Sequence, residues 1–594
     1  NSRATCQDRD NLDEADVTLR FAKPTAYLPK EIDCIPNVQE VSFTPATISL
    51  GENLGTRATL SATFFDIKHS DTGEGFDKYL ADRDYDPYEQ GTFWGKFRAR
   101  QPFLRGRKIR WIIGLEGRSL EEMETRHFIV ESFDGPTPDG KYTLVAKDVL
   151  KLVDGDRAMA PAASTGFLVS GITSSATSAT LSPSGVGNSE YQASGYLALG
   201  GKEIVAFTRS SDTLTITSRA QLGSGPAQAF NAQDRVQTVL KYTSEDVADI
   251  IYDLMVNYAD VPAEYITLSD WQAETATFNG RLYSSVICEP TSVGNLISEL
   301  IQQAGLCIWW DDISLKIRLQ VLRGIVTAAA RFTPDNYISL TSKEQPDKRI
   351  SQVLTYFGQI NPLKNISDLD NYRSSSLVKD VEAESDYGGA VIKKILSRWI
   401  PGVGGRTVAD RLGTILLSRY RDPPRRLTFD LGRYAGTDVS LGGGYRVSAH
   451  CFQDETGALV DVPVQVTRLN PPADRFKVEA EEVLFAATSD NPDFHPLVID
   501  SNTTNINLRT IHDAVYGTPT SATIVECRVL AGVEVTGTAT SIPAFDVGIW
   551  PSGVAITLIV EGSIRAPGGG GGQGYFPGAL SGQPGLPGGT ALYT

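Results

Sequence analysis

The stretch TSVGNLISELIQQAGLCIWWDDISLKIRLQV, residues 291–321, decides how the chain is read. Ser292 is placed to cap a helix whose apolar residues Val293, Leu296, Ile297, Leu300 and Ile301 recur at helical spacing, and Gly305 is placed to end it. Leu306-Cys307-Ile308-Trp309-Trp310 then runs into Asp311-Asp312. Beyond that turn Ile313, Leu315, Ile317, Leu319 and Val321 alternate with Ser314, Lys316, Arg318 and Gln320. The pattern predicts a helix delivering the chain into a hairpin with one wet face, an α+β block. The wet face holds no group able to act as a reagent, so the block reads as a scaffold.

Working outward, 594 residues are too many for one core, and roughly three to five domains follow from typical domain size. With 55 Lys+Arg against 71 Asp+Glu the net charge is −16, which disfavours general attraction to phosphate backbones and, with it, sequence-specific nucleic-acid binding. Lys96, Arg98, Arg100, Arg105, Arg107, Lys108 and Arg110 do crowd one region. A solvated or interface strand face explains them better than a DNA path. No apolar run approaches the ~20 residues needed to span a bilayer, and no secretory pattern opens the chain, so neither an integral membrane protein nor a secreted one is predicted. The abrupt start at Asn1-Ser2-Arg3 and the stop inside a Gly/Pro-rich tract suggest trimmed ends.

In chain order, residues 1–36 form an N-terminal segment, and residues 37–160 a β-domain; from 17 onward the pattern is mainly β, with short runs at 17–21, 38–43, 58–67, 109–115, 127–133 and 142–147, suggesting a barrel or sandwich. Within it, residues 90–100 are dense in aromatic and cationic side chains, a loop-to-strand segment suited to packing or a subunit contact. Residues 161–241 turn to Ser, Thr, Ala and Gly and read as a small inserted β-domain. Residues 242–330 resume with a helix carrying Val247, Ile250, Ile251, Leu254, Met255 and Tyr258 on one face, opened by Thr243 and Asp246 as a capping box, and then the block described first. Residues 331–488 are β with one helix at 407–421; residues 489–565 are a last β-domain. The fold class is multidomain and mainly β with α+β domains, built from antiparallel barrels or sandwiches, and not a doubly wound nucleotide-binding fold. The Gly/Pro-rich residues 566–594 cannot build an ordinary core. Two readings stand for this tail, a flexible linker or several chains packing their glycines as extended helices.

Chemistry is sparse. No G-x-S-x-G, H-E-x-x-H or C-x-x-C occurs, and the five histidines (His69, His127, His450, His495, His512) are scattered singly, so any dyad or metal cage must be assembled by the fold. Asp311-Asp312 and Glu481-Glu482 imitate acid/base pairs, but a turn and a sheet edge explain them. Of the six cysteines, Cys288, Cys307, Cys451 and Cys527 sit in strand-like apolar surroundings as small core residues. Cys6 and Cys34 share the irregular N-terminal segment; they are either two unrelated free thiols or metal ligands. No catalytic residues are predicted.

On Arg3-Ala4-Thr5-Cys6-Gln7 with Leu19-Arg20-Phe21, on Tyr85-Asp86-Pro87 with residues 91–100, and on the helix–hairpin, the chain resembles the baseplate or tail-tip hub proteins of long-tailed bacteriophages, related to the lambdoid host-specificity tail protein. The resemblance covers most of residues 1–485. In the insert, Gly195-Tyr196-Leu197, Lys202-Glu203-Ile204 and Arg219-Ala220-Gln221-Leu222-Gly223 look like small β-domains of phage tail proteins. Residues 507–560 running into polyglycine are similar to tail-tip and fibre-like C-termini. The resemblance implies a non-enzymatic structural protein of the virion, assembled in the host cytoplasm into a homotrimeric ring at the distal end of the tail. It implies contacts with the distal tail protein, the tape-measure protein, tail fibre or receptor-binding proteins and a host surface receptor, and a part in DNA ejection. Some members of that family carry an N-terminal iron–sulfur module with several cysteines; here only Cys6 and Cys34 match it, so an intact four-cysteine site is not visible, and the resemblance implies an iron–sulfur cluster at these two as the metal-ligand reading. The alternative function is a tail-associated enzyme degrading host cell wall or capsule polysaccharide.

Overall fold

A computed structural model of the chain describes residues 17–593 other than 27, 29–31, 73–83, 115–117, 156–157, 326–328, 433–438, 471–474, 485–493, 517, 520–522, 531, 561 and 568–591. It divides into two compact units, Asn1–Arg323 with Arg331–Leu484, and Gly324–Ala330 with Phe485–Thr594. The architecture is multidomain and mainly β, as the sequence predicts.

At the centre of the first unit lies the helix Val293–Ala304, closed by Gly305 in the left-handed region at φ +65, followed by the strands Leu306–Asp311 and Lys316–Val321 paired from Leu306↔Val321 to Asp311↔Lys316. Ser292 occupies the capping position without a capping side-chain bond. The helix start is set instead by tertiary pairing: Thr291–Ser292 pairs with Met159–Ala160, and Val293 N–H donates to the Ala158 carbonyl at 2.9 Å. Val293, Leu296, Ile297, Leu300 and Ile301 are fully buried against the helix Val247–Tyr258, whose Val247, Ile250, Ile251 and Leu254 are buried in the same cluster. Full burial of each such side chain is worth about 1.5–3 kcal/mol, so this helix pair anchors the unit. The predicted capping box at Thr243 does not form, because Thr243 lies in the strand Leu240–Asp246; Asp246 alone caps, accepting from Ala248 N–H and from Thr275 Oγ1–H, both at 2.8 Å.

The hairpin differs from its predicted form in two ways. Its second strand begins only at Lys316, leaving Ile313 in the turn and exposed, while Asp311 takes up the turn by accepting from Ser314 Oγ–H at 2.6 Å. Its second face is also only partly wet: Lys316, Arg318 and Gln320 are half-buried. Gln465 Nε2 donates to Gln320 Oε1 at 2.7 Å, and the Trp309 ring lies over Gly442, where a Cβ would come within 2.4 Å of it. The opposite face receives the helix Leu268–Phe278 through Trp271 Nε1–H, which donates to the Ile317 carbonyl at 3.1 Å. At the turn, Arg126 Nη1 donates to both Asp312 carboxylate oxygens at 2.9 and 3.2 Å, and His127 Nδ1–H donates to the Asp312 carbonyl at 3.1 Å.

Arg126 and His127 belong to the first β-domain, a five-stranded antiparallel sheet ordered Val38–Thr44, Thr59–Phe65, Lys141–Lys147, Glu124–Asp134, Lys108–Ile113. The expected strand at 17–21 is absent: Phe21 makes one bridge to Ile35 and its ring stacks on Trp94 at 5.2 Å. The expected loop-to-strand segment at 90–100 is a helix, Phe93–Arg100. Asp66 makes it so by capping from across the sheet, accepting from Trp94 N–H at 2.8 Å and Thr92 Oγ1–H at 2.5 Å. Phe93 and Trp94 then bury beneath the sheet, with Trp94 stacked on Tyr142 at 4.1 Å. The basic cluster is largely consumed internally. Lys96 and Arg100 pair with the buried Asp71, Arg98 donates to the Gly135 carbonyl, and Lys108 pairs with Glu264. Burial pushes the Asp71 carboxyl up, but the Arg100 and Lys96 contacts outweigh it and hold it below its ordinary value.

The insert is a six-stranded antiparallel sheet ordered Val236–Thr238, Ser194–Leu199, Glu203–Ser210, Thr213–Ser218, Ser178–Ser182, Phe167–Leu168. Its sequence motif has a physical reason. Glu203 is fully buried, and Arg219 donates to its two oxygens at 2.9 and 2.8 Å while Ala220 and Gln228 N–H groups donate at 2.9 Å each.

Residues 331–484 hold a six-stranded sheet in which Arg475–Glu482 lies between Leu459–Asn470 and Arg425–Gly432, and a three-stranded sheet of Gln352–Gln359, Tyr372–Lys379 and Ile392–Leu396 packed under the helix Gly405–Tyr420. Two expectations fail here. Glu481 and Glu482 are in the sheet interior, not at its edge, and Cys451 is exposed where a core thiol was expected.

Two outcomes test this account. Gly442 has φ +77 and no room for a Cβ beneath Trp309, so Gly442→Ala is expected to destabilise by about 1–3 kcal/mol in urea titrations, and Trp309→Ala is expected to recover part of that loss in the double variant. Burial pushes the Asp148 carboxyl up to about 6, against the pull of Arg57 and the Ala58 N–H. Between pH 4 and 6 the folded state then binds more protons than the unfolded one, so this group's contribution to stability falls as pH rises. Asp148→Asn keeps the acceptor for Ala58 and should gain on the wild type between pH 4 and 7 by up to about 3 kcal/mol, read from unfolding at several pH values.

Candidate functional site

The residues singled out in the sequence separate on folding. Cys6 lies outside the described residues. Cys34 is a half-buried free thiol, pushed up by burial and then by Asp33, which opposes the thiolate that a metal or iron–sulfur cluster requires. Among the described residues no group of three or more His, Cys, Asp or Glu is placed to hold a metal ion, and Cys34 does not make such a site by itself. The adjacent acids are committed to cations. Asp312 is held by Arg126; Glu481 meets Lys348 and lies 3.7 Å from the fully buried Arg419; Glu482 takes two bonds from Arg425 at 2.8 and 2.6 Å. Each is a strut between segments distant in sequence.

The second unit brings side chains together in a way that the sequence does not announce. Its strands form three parallel three-stranded sheets, Phe494–Ile499 with Ile524–Val529 and Ala555–Val560, Thr503–Thr504 with Glu534–Thr536 and Ser563–Arg565, and Ile506–Asn507 with Phe545–Asp546 and Leu592–Tyr593. The chain therefore winds as a three-sided parallel solenoid of three turns. Val525, Cys527, Val529, Val535 and Phe545 of the middle turn fill its interior. Burial pushes the Cys527 thiol up to about 11. The asparagines of residues 502–507 brace the first turn to the second: Asn502 Oδ1 accepts from Glu534 N–H at 2.8 Å, Asn505 Oδ1 from Thr538 N–H at 3.0 Å, and Asn507 Nδ2 donates to Asp546 Oδ2 at 2.8 Å. Leu592–Tyr593 pairs in parallel with Phe545–Asp546, so the chain returns to the solenoid after the Gly/Pro-rich tract; residues 568–591, on which the linker and glycine-packing readings fall, lie outside the described residues.

Between the first and second turns the chain makes the helix Leu508–Tyr516. Asn507 caps it, its Oδ1 accepting from Thr510 N–H at 2.9 Å and Thr510 Oγ1–H at 3.0 Å. The helix carries His512, fully buried, to within 2.7 Å of His495: Nε2 of His512 faces Nδ1 of His495. The Tyr516 ring stacks on His495 at 4.3 Å and 5°, and Trp550 meets His512 edge-on at 4.9 Å. Asp513 accepts from Arg509 Nε–H at 2.8 Å and from His512 Nδ1–H at 3.0 Å, and these bonds hold its carboxyl below its ordinary value. Arg509 also donates to the Ile549 carbonyl at 2.7 Å and lies 5.3 Å from the Trp550 ring. Gly548, at φ +81, passes close over Arg509, and the loop projects Ile549 into solvent with 90% of its surface exposed. Two histidines read as isolated thus form a dyad. Their separation by a helix and a corner leaves no spacing signal; the amphipathic run Leu508, Ile511, His512, Val515 was the one legible clue.

Residues 495–594 match the family model of the phage tail fibre adhesin Gp38. This agrees with the resemblance to phage tail proteins read from the sequence. No curated protein matches the chain. Among solved structures it is similar to the 43 kDa tail protein of prophage MuSo2 from Shewanella oneidensis, at 10% identity over 75% of this chain and 98% of that one with a TM-score of 0.33. It is also similar to the tail protein from Neisseria meningitidis MC58, at 10% identity over 75% and 97% with a TM-score of 0.35. A third is prophage tail protein gp18 from Listeria monocytogenes EGD-e, at 10% identity over 75% and 90% with a TM-score of 0.32. Likenesses of this size do not establish a shared fold. Among the described residues no helix is long and apolar enough to cross a membrane.

Asn507 both caps the helix and ties the first turn to Asp546. Asn507→Ala is therefore expected to cost about 1–2 kcal/mol in the second unit alone, seen as faster amide exchange in residues 508–516 with exchange in residues 293–304 unchanged.

Proposed function

We propose that this chain is a structural protein of a bacteriophage tail, with residues 17–484 forming a body in the tail-tip hub and residues 495–594 serving as the element turned toward the host. The match of residues 495–594 to a tail fibre adhesin family carries the reading. It is supported by a body whose conspicuous acids are tied to Arg and Lys struts, an arrangement suited to holding geometry. In this reading the body assembles as a homotrimer that closes the distal end of the tail tube, contacts the distal tail and tape-measure proteins, and opens when DNA is ejected. The solenoid supplies a rigid mount for recognition, because its parallel turns and asparagine braces fix the loop that presents Ile549.

Imaging of intact particles carrying a label on this chain is expected to place it at the distal tail end with threefold symmetry; a label on the capsid or along the tube would end the proposal. Deleting residues 495–594 is expected to leave the tail assembled and to lower adsorption to host cells at least tenfold. Unchanged adsorption would remove the host-facing role from this region.

A further inference from the structure

We infer, resting on the homotrimer reading above, that two open sheet edges of the first unit pair between copies of this chain, the strand Tyr337–Glu344 of one copy taking the strand Lys108–Ile113 of the next. Lys108–Ile113 is the outermost strand of the five-stranded sheet, and Tyr337–Glu344 the outermost strand of the six-stranded sheet. The far edges of the same two sheets are less open. Beyond Val38–Thr44 the chain bridges to Arg468 at Thr47, and Ile48 N–H donates to the Thr467 carbonyl at 2.8 Å. At the far edge of the six-stranded sheet, Arg331–Phe332 is only two residues long.

The pairing within each sheet fixes which backbone groups face outward, because alternate residues of an antiparallel ladder turn both N–H and C=O to the same neighbour. Gln345 N–H donates to the Pro424 carbonyl at 3.0 Å, and the register from Glu344↔Arg425 back to Ser339↔Asp430 carries that phase along the strand. Ser339, Thr341 and Lys343 therefore bond inward, and Leu340, Ser342 and Glu344 turn their backbone groups outward. On the other edge Val130 N–H donates to the Arg107 carbonyl at 2.9 Å, so Ile109, Trp111 and Ile113 bond inward and Lys108, Arg110 and Ile112 face outward. Among the described residues these outward groups meet no backbone partner. An edge of this kind is a template for another strand.

Laid antiparallel, the two edges match in phase and in charge. Leu340 comes opposite Ile112, Ser342 opposite Arg110 and Glu344 opposite Lys108. Cross-strand residues share a face, so this register sets an apolar pair at one end and an opposite-charge pair at the other. Past the charged end, exposed Asp347 follows Glu344 and exposed Arg105 precedes Lys108, which adds attraction of the same sign. Lys108 already meets Glu264 at 3.3 Å, but both side chains are largely exposed, and an ammonium has donors for two carboxylates. Pairing the basic edge with its own copy would instead set Arg110 against Arg110. The contact is therefore head to tail, each copy offering one edge forward and the other behind, the type that closes into a ring when the rotation allows.

Ser342→Cys combined with Arg110→Cys in the full chain, with the exposed Cys451 replaced by serine, tests this. Facing residues of a hydrogen-bonded antiparallel pair have Cα atoms about 5.5 Å apart, within reach of a disulfide. Mild oxidation of the double variant is expected to give disulfide-linked trimers on a non-reducing gel, and neither single variant is expected to do so. A trimer in sedimentation that does not cross-link would overturn the edge pairing and leave the homotrimer reading standing; a monomer at every concentration, without cross-links, would overturn both. Should the cysteine variants fail to fold, Ser342→Pro decides, because the Ser342 N–H faces outward and proline there removes no bond within the sheet. It is expected to weaken self-association by about tenfold or more with amide protection of residues 427–431 unchanged. Self-association equal to that of the wild type would sink the inference.

Discussion

The first unit depends on the docking of one hairpin turn. Asp312 is taken out of water, and burial pushes its carboxyl up despite the opposing pull of Arg126; such a group is tolerable only while its partner is in place. Arg126 is itself buried and bonded to Glu124 at 2.7 Å, so the turn is clamped between a β-domain strand and the helical block. The same hairpin receives Trp271 on one face and Gly442 with Gln465 on the other. Four segments far apart in the chain thus converge on one hairpin, the strands Leu306–Asp311 and Lys316–Val321 with the turn between them. A shift of this hairpin would break an ion pair, a ring contact and a side-chain amide bond together.

Elsewhere the structure repeats that tactic. Glu203 with Arg219, Asp71 with Lys96 and Arg100, and Glu481 with Lys348 are acids withdrawn from solvent and matched by cations from a different strand or helix. Replacing either partner alone would leave a charge buried without compensation, which costs more than the pair contributes, so these contacts specify register more than they add stability.

The second unit works by a different rule. Parallel turns stacked in register need no long-range charge matching, because each strand finds its partner one turn away and the interior fills with alternate residues such as Val525, Cys527 and Val529. Asparagines at the corners complete the backbone bonding that the short strands leave unmet. On that mount, the side chains of Asn507, Arg509 and Asp546 tie down the helix Leu508–Tyr516 and the loop with Ile549 and Trp550.

By itself the sequence determined those features whose cause is local. The helix Val293–Ala304, its Gly305 terminus, the hairpin after it and the mainly β character of residues 38–147 all follow from periodicity, turn residues and composition. The parts it misjudged have remote causes. Phe93–Arg100 is a helix because Asp66, remote in sequence, caps it, the hairpin's wet face is partly covered because Gly442 and Gln465 arrive there, and Glu481-Glu482 sits inside a sheet whose strand order no local pattern encodes. The candidate site belongs to the second group. His495 lies on the first strand of the solenoid and His512 on the helix that follows the first turn, and only winding the chain brings their nitrogens within hydrogen-bonding distance. Propensity acts over a few residues, whereas strand order and charge pairing are settled by which buried groups must find partners once the core has closed.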